Sequence, residues 1–171
     1  MPPKKELVLK LTSFRYRAKD VSEEQFHEYT SKDHGPKAAR IQQRHGALRV
    51  EQYHTPSAIR DLVKDKMPWI NRPGWSVDDH DVQISYWVRT LEQAHAILMD
   101  PEFQALVQEA SGYQDDDRAT FAAGWVEVYV EDGKLVNMDE QGNTVYQESF
   151  AAKCTLGSDS KRTEMPEGQN I

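Results

Sequence analysis

One cysteine, Cys154, occurs in 171 residues. A single thiol forms no intrachain disulfide and supplies no multi-cysteine zinc site, and it fits a reducing compartment. No apolar run approaches the roughly 20 residues that cross a bilayer. Met1-Pro2-Pro3-Lys4-Lys5 is basic but leads into alternating sequence rather than an apolar core, so no signal peptide is read and a cytoplasmic protein is expected. Positive charge is outweighed: 21 Lys and Arg against 28 Asp and Glu leave a net charge of -7. That balance argues against nucleic acid or an anionic membrane surface as partner. Also missing are G-x-G-x-x-G, P-loop and G-x-S-x-G patterns, which disfavours nucleotide use and serine hydrolysis. The six histidines include no H-x-x-x-H or H-E-x-x-H pair, so no metal is expected.

What is present begins with Phe26 to Pro36. Phe26, Tyr29, Thr30 and His34 follow helical spacing and share one face, which puts an imidazole on the buried side. Gly35-Pro36 then predicts a helix end or kink, because proline lacks a donor and restricts its predecessor. A histidine held at such a point is the first candidate for a reacting group, since its ordinary pKa near 6.5 suits proton transfer at neutral pH.

Around this stretch the periods alternate. Glu6–Arg17 reads as a strand with Leu7, Leu9 and Leu11 on one face. Ser22 and Gln25 make a capping box for a helix to about His34, and Lys37–Arg44 continues helical. Ala47–His54 is a second strand. Ser57 caps a short helix with Ile59, Leu62 and Val63 as its stripe. Residues 67–79 are irregular but carry Trp69 and Trp75, too aromatic for an ordinary solvated loop. Asp81–Arg89 is a third strand, Thr90 caps the next helix, and Asp100-Pro101 restarts another. Asp115-Asp116-Asp117 reads as a solvated turn, followed by a fourth strand over Thr120–Glu131, apolar enough to be covered on both faces. A small hairpin is expected over 134–151, and 152–171 keeps no apolar period and reads as a disordered tail.

Strand, helix, strand, insertion, strand, helix, strand is the α+β ferredoxin-like split βαβ plan: a four-stranded antiparallel sheet with both helices on one face. The main domain is expected over 1–133, with an insertion at about 55–79. The other sheet face would carry Val8, Tyr53, Trp87 and Trp125 or Val126. So large an apolar set needs a cover, and a second copy of the sheet supplies it, giving a homodimer whose sheets form a barrel.

Phe26-x-x-Tyr29-x-x-x-x-His34-Gly35-Pro36, after a first strand and before a second, resembles the EthD-domain family of dimeric α+β barrels. The likeness runs from about Leu7 to Val130; where family members commonly have a tryptophan after the tyrosine, Thr30 stands here. The resemblance implies cofactor-free chemistry on an aromatic polyketide held between sheet and helices: a lyase, decarboxylase or dehydratase, with His34 as general acid or base. Alternatives on the same scaffold are an anthrone-type monooxygenase, a cyclase, or a non-catalytic small-molecule-binding barrel.

His54, at a strand end on the pocket rim, is the second catalytic candidate. Phe26, Tyr29, Tyr53, Tyr86 and Trp87 are candidate substrate contacts. Trp69 and Arg72 belong to a segment that reads equally as a lid or a dimer contact, and Arg72 could hold a carboxylate. His80, in Asp78-Asp79-His80-Asp81, is expected in solvent, His95 in the core, His45 at a helix C-terminus and His27 at the pocket margin.

Overall fold

The computed structural model describes residues 7–157. Strand β1 (Leu9–Arg17) leads into α1 (Glu23–Tyr29), where the expected capping box forms: Gln25 N donates to Ser22 Oγ and Ser22 N to Gln25 Oε1. A π-helical turn, Thr30–His34, joins α1 to α2 (Gly35–Arg44). Then come β2 (Arg49–His54), α3 (Ser57–Lys66), a 3-10 turn (Pro68–Asn71), β3 (Val82–Val88), α4 (Leu91–Met99), α5 (Pro101–Ala110) and β4 (Gln114–Trp125). After the sheet lie β5 (Val130–Glu131), β6 (Lys134–Leu135) and the short α6 (Phe150–Lys153). Among the described residues no helix is long and apolar enough to cross a membrane.

The four long strands are antiparallel in the order β2-β3-β1-β4, the ferredoxin-like arrangement that the element order predicts. Register assigns the faces. Leu9 and Leu11 stand opposite Val88 and Tyr86, and Val50 opposite Tyr86, so alternation sends these side chains to the helical layer. There Leu9, Leu11, Tyr86, Val88, Ala94 and Ile97 form the main core, with Leu156 packed against it. Truncating the fully buried Ile97 to alanine would cost about 2–5 kcal/mol. The described start of the expected tail is therefore not free of the fold. Gly157 lies so close to Leu9 that an added Cβ would meet Leu9 Cδ1 at 2.2 Å; residues 158–171 lie outside the described residues.

The opposite sheet face carries Lys10, Thr12, Phe14, Ser85, Trp87 and Tyr53. Of the two residues expected there from the fourth strand, Trp125 pairs with Leu9 and so faces the helices instead. Thr12 and Ser85 bond at 2.9 Å, and Trp87 lies beneath Lys10 Nζ and the Arg49 guanidinium, 4.9 and 5.1 Å from its ring.

Several elements differ from the sequence expectation. The helix does not break at Gly35-Pro36: it runs on from Glu23 to Arg44 through the wider π turn, which tolerates the missing proline donor. The fourth strand begins at Gln114, takes in Asp115–Asp117 and ends at Trp125, and most of it is exposed rather than covered. As an edge strand it gives acidic residues solvent, so an Asp run costs it little. Ile59 and Leu62 of α3 are exposed as well; that helix makes few contacts with the sheet.

Candidate functional site

Between the inner sheet face and helices α2, α4 and α5 lies a cavity of about 870 Å³, in the size range of small-molecule sites. Its walls are mostly apolar, with Ile84, Tyr86, Met99, Phe103, Val107 and Phe121 among them. Polar groups enter from a few positions: Arg15 and Ser13 on β1, His34 at the π turn, Gln52 on β2, Gln42 on α2 and Gln114 on β4. A smaller hollow behind His34 is lined by Phe26, Tyr29, Thr30 and Val82. Arg15, His34, Ile84, Ala110 and Gln114 border both spaces. The guanidinium and the imidazole thus sit together at the inner end of the cavity.

The local sequence places His34. Thr30 Oγ1 donates to the carbonyls of Phe26 and His27, at 3.0 and 3.1 Å, and the Gly35 N–H reaches back five residues to Thr30 O. A Cβ on Gly35 would stand 2.7 Å from Thr30 O and 2.8 Å from Gln52 Nε2. Glycine is needed here for space and not for dihedral freedom, because Gly35 is ordinary right-handed helix at φ -59°. The π turn rotates the next residues relative to the stripe of α1, and such turns recur at functional sites.

His34 is half-buried, and its Nδ1 is buried with no hydrogen-bond partner among the described residues. Burial is the main force holding its pKa below 6.5, and Arg15 adds to the effect while Asp33 opposes it. The ring is therefore neutral at pH 7 and equipped to accept a proton. Tyr29, 5.8 Å from His34 between ring centroids, stacks on Tyr113 at 3.8 Å with planes 2° apart. Its hydroxyl is buried without a partner among the described residues, and burial pushes its pKa up to about 12. Proton release from that hydroxyl is disfavoured.

Of the residues singled out in the sequence, the structure gathers His34 and Tyr86 on the main cavity, with Phe26 and Tyr29 on the hollow behind. The others lie apart. Tyr53 and Trp87 are on the outer sheet face. Trp69 and Arg72 join Trp75 in an exposed cluster, the guanidinium 4.6 Å from the Trp75 ring, outside the cavity lining. His54 belongs to a second group: its Nδ1 is 2.8 Å from His27 Nδ1 and its Nε2 3.3 Å from Ser31 Oγ. Two expectations are corrected. His80 is buried, edge-on to Phe14 at 5.0 Å and paired through Nδ1 with Asp78 Oδ1 at 2.6 Å. His95 is exposed, on the solvent side of α4.

Arg15 and the cavity glutamines were missed. The signal for Arg15 was available: it follows Leu9, Leu11 and Ser13 on the same strand face.

The sequence pattern of the EthD domain matches residues 18–124. A protein of Aspergillus terreus named "Putative oxygenase" is 31% identical over 136 residues, covering 80% of this chain and 84% of that one. "Dehydratase iacD" of Pestalotiopsis fici is 27% identical, covering 77% of this chain and 94% of its own length. A crystal structure of an EthD-family protein from Bacillus halodurans overlays with a TM-score of 0.46 at 14% identity, covering 68% of this chain and 96% of that one. Other relatives are named as a conidial pigment biosynthesis dehydratase of Metarhizium robertsii and a decarboxylase of Aspergillus novofumigatus, each 26% identical.

Proposed function

Because the chain belongs to the EthD domain family, we propose that it is a cofactor-independent lyase acting on an aromatic polyketide intermediate. His34 is its general base and then its general acid. The observation that carries this reading is a neutral imidazole at the inner end of a largely apolar cavity, next to a guanidinium.

Loss of water from a β-hydroxy carbonyl needs a base to take the α-proton and an acid to return one to the departing hydroxyl. A single imidazole performs both in turn. The lowered pKa favours starting as base, so dehydration is the preferred direction, and the names of relatives such as "Dehydratase iacD" lie on the same side. In a decarboxylation the same ring would first have to be charged; a substrate carboxylate beside it would promote that. The apolar walls strengthen each electrostatic contact by excluding water.

A homodimer belongs to the same proposal. Among the described residues β4, 12 residues long, is an edge strand with one side unpaired, and Tyr53 stands 59% exposed on the outer face. A second sheet would cover both.

The deciding experiment is His34→Ala, purified and checked for native circular dichroism. Turnover of a polyketide β-hydroxy ketone or acid should fall about 10²–10⁴-fold. Full turnover by the folded variant would remove His34 from the chemistry. Light scattering that gives a monomer mass would remove the dimer.

A further inference from the structure

Most arginines of the described chain have an evident structural partner. Arg17 pairs with Asp81, Arg44 with Asp100 and Glu102, Arg49 with Glu51 and Arg118 with Asp79, while Arg60 donates to the carbonyls of Thr55 and His80. Arg15 differs. Its Nε donates to Ser13 Oγ at 3.4 Å, and its two Nη groups have no protein partner among the described residues. It has no carboxylate within ion-pair distance there either. Glu51 borders the cavity, but its register sends its side chain to the outer sheet face, where Arg49 at 2.8 Å and Lys10 at 3.7 Å engage it.

A half-buried guanidinium without a counter-charge on a mostly apolar wall gives up part of its hydration, and one 3.4 Å bond to Ser13 Oγ returns little of it. Such a group is retained where something else supplies the charge. Its position narrows what that is. Arg15 extends from the inner face of the central strand β1 near its C-terminal end, opposite Val82 on one side and Ala119 on the other, so β-strand neighbours fix its stem. With Nε held by Ser13, the free end is the Nη1/Nη2 pair, a flat fork with two parallel donors. That fork matches the two oxygens of a carboxylate. The cavity beside it, about 870 Å³ and walled by Tyr86, Phe103 and Phe121, takes a fused-ring aromatic.

We propose that Arg15 anchors the carboxylate of an aromatic acid at the inner end of the cavity, with the ring system lying along Tyr86, Phe103 and Phe121 and the reacting carbon beside His34. The assignment rests on the cavity being the substrate site of the lyase proposed above, and it narrows the substrate to an aromatic carboxylic acid. Gln114, which borders both hollows with Arg15, is placed to bond a hydroxyl next to that carboxylate.

The test uses two probes of one shape, 2-naphthoate and neutral 2-naphthamide, titrated calorimetrically into wild-type protein and into Arg15→Gln, Arg15→Lys and His34→Ala. Wild-type protein should prefer the acid. Arg15→Gln should weaken naphthoate about tenfold to a hundredfold, the worth of hydrogen bonds to a charged group, and leave naphthamide unchanged. Arg15→Lys should recover part of the loss, and His34→Ala should bind naphthoate nearly as the wild type does. Equal naphthoate affinity in wild type and folded Arg15→Gln overturns the anchor. So does a parallel loss of both probes, or the lack of saturable naphthoate binding by the wild-type protein. No turnover of any polyketide β-hydroxy acid by the wild-type protein, with the Arg15 dependence of naphthoate binding intact, would instead overturn the lyase reading and leave the anchor standing.

Discussion

His27 Nδ1 and His54 Nδ1 lie 2.8 Å apart, so one ring donates to the other and the pair holds one proton at that contact but not two. The contact joins α1 to the end of β2. His27 Nε2 is 3.8 Å from Glu23, whose carboxylate also takes Ser57 Oγ at 2.6 Å and so holds the start of α3. Burial lowers both histidine pKa values below 6.5; for His27, Glu23 and Asp81 oppose that and Arg17 and Arg60 reinforce it, and for His54 the His27 ring reinforces it. Below pH 6.5 the unfolded chain therefore binds more protons than the folded one, and stability rises with pH across that window. The melting temperature should be level above pH 7, fall as pH drops through 6.5, and fall less in His54→Gln, where only one ring remains to be charged. Differential scanning fluorimetry from pH 5 to 8 checks this. A His54→Gln curve parallel to wild type would show that the pair does not set the acid sensitivity.

Gly35→Ala tests the π turn. The new methyl would stand 2.7 Å from the Thr30 carbonyl, which is backbone and cannot swing aside, and 2.8 Å from the Gln52 amide, which can. The turn must shift to admit it, at about 1–3 kcal/mol, the usual cost of overpacking. Because His34 is the residue before Gly35, activity should fall more than stability accounts for. Urea denaturation beside steady-state kinetics at a temperature where the variant is fully folded separates the two. Unchanged kcat/KM there would mean that the turn does not orient the imidazole.

How much of this was legible in the sequence follows from the range of the forces involved. Caps are contacts over three residues: the Ser22/Gln25 box and the Thr90 cap were both readable and both formed, the latter with Gln93 completing a box. Strand alternation gave the inner faces of β1, β2 and β3, and with them the order of layers. His80 was misplaced because a string of Asp and His gives no hint that Asp78 folds back on the ring or that Phe14, 66 residues earlier in the chain, closes over it. The start of β4 was misread because its acidic residues mark an exposed edge as readily as a turn. His34 could be named from one helix, whereas the cavity takes residues from eight elements. Alternation along β1 put Arg15 on the inner face, but that this face opens on a cavity there, as at Gln52 and Gln114, depends on helices far along the chain.

Tyr29→Phe removes a buried hydroxyl that has no partner among the described residues and leaves the ring stacked on Tyr113. Deleting an unsatisfied polar group relieves its desolvation cost, so the variant should be as stable as wild type or more so, by up to about 1–3 kcal/mol. Its catalytic rate should stay within about twofold, because the hydroxyl, with its pKa pushed up to about 12, is a poor proton donor and borders only the hollow behind His34. Thermal melts and initial rates read both outcomes. A rate loss of tenfold or more with stability retained would instead assign the hydroxyl a direct part in the reaction.

The last prediction concerns the acid limb of activity. As a general base His34 works only while neutral, so kcat/KM should be flat near pH 7 and decline once the pH passes below the lowered pKa of the ring, at a point under 6.5. Burial is the largest cause of that lowering, and the positive charge of Arg15 contributes in the same direction. Replacing Arg15 by glutamine removes one of the forces disfavouring imidazolium and leaves the burial in place. The limb should therefore move upward, toward 6.5 but not past it, while Arg15→Lys, which keeps the charge, should leave it where it was. The ring's titration in the ligand-free protein, followed by the NMR shifts of its carbon-bound protons, should move in the same sense and so separates the electrostatic effect from any change in substrate binding. If the limb and the NMR titration stay fixed in Arg15→Gln, the guanidinium and the imidazole do not sense each other across the inner end of the cavity, and the two must act on separate parts of the ligand.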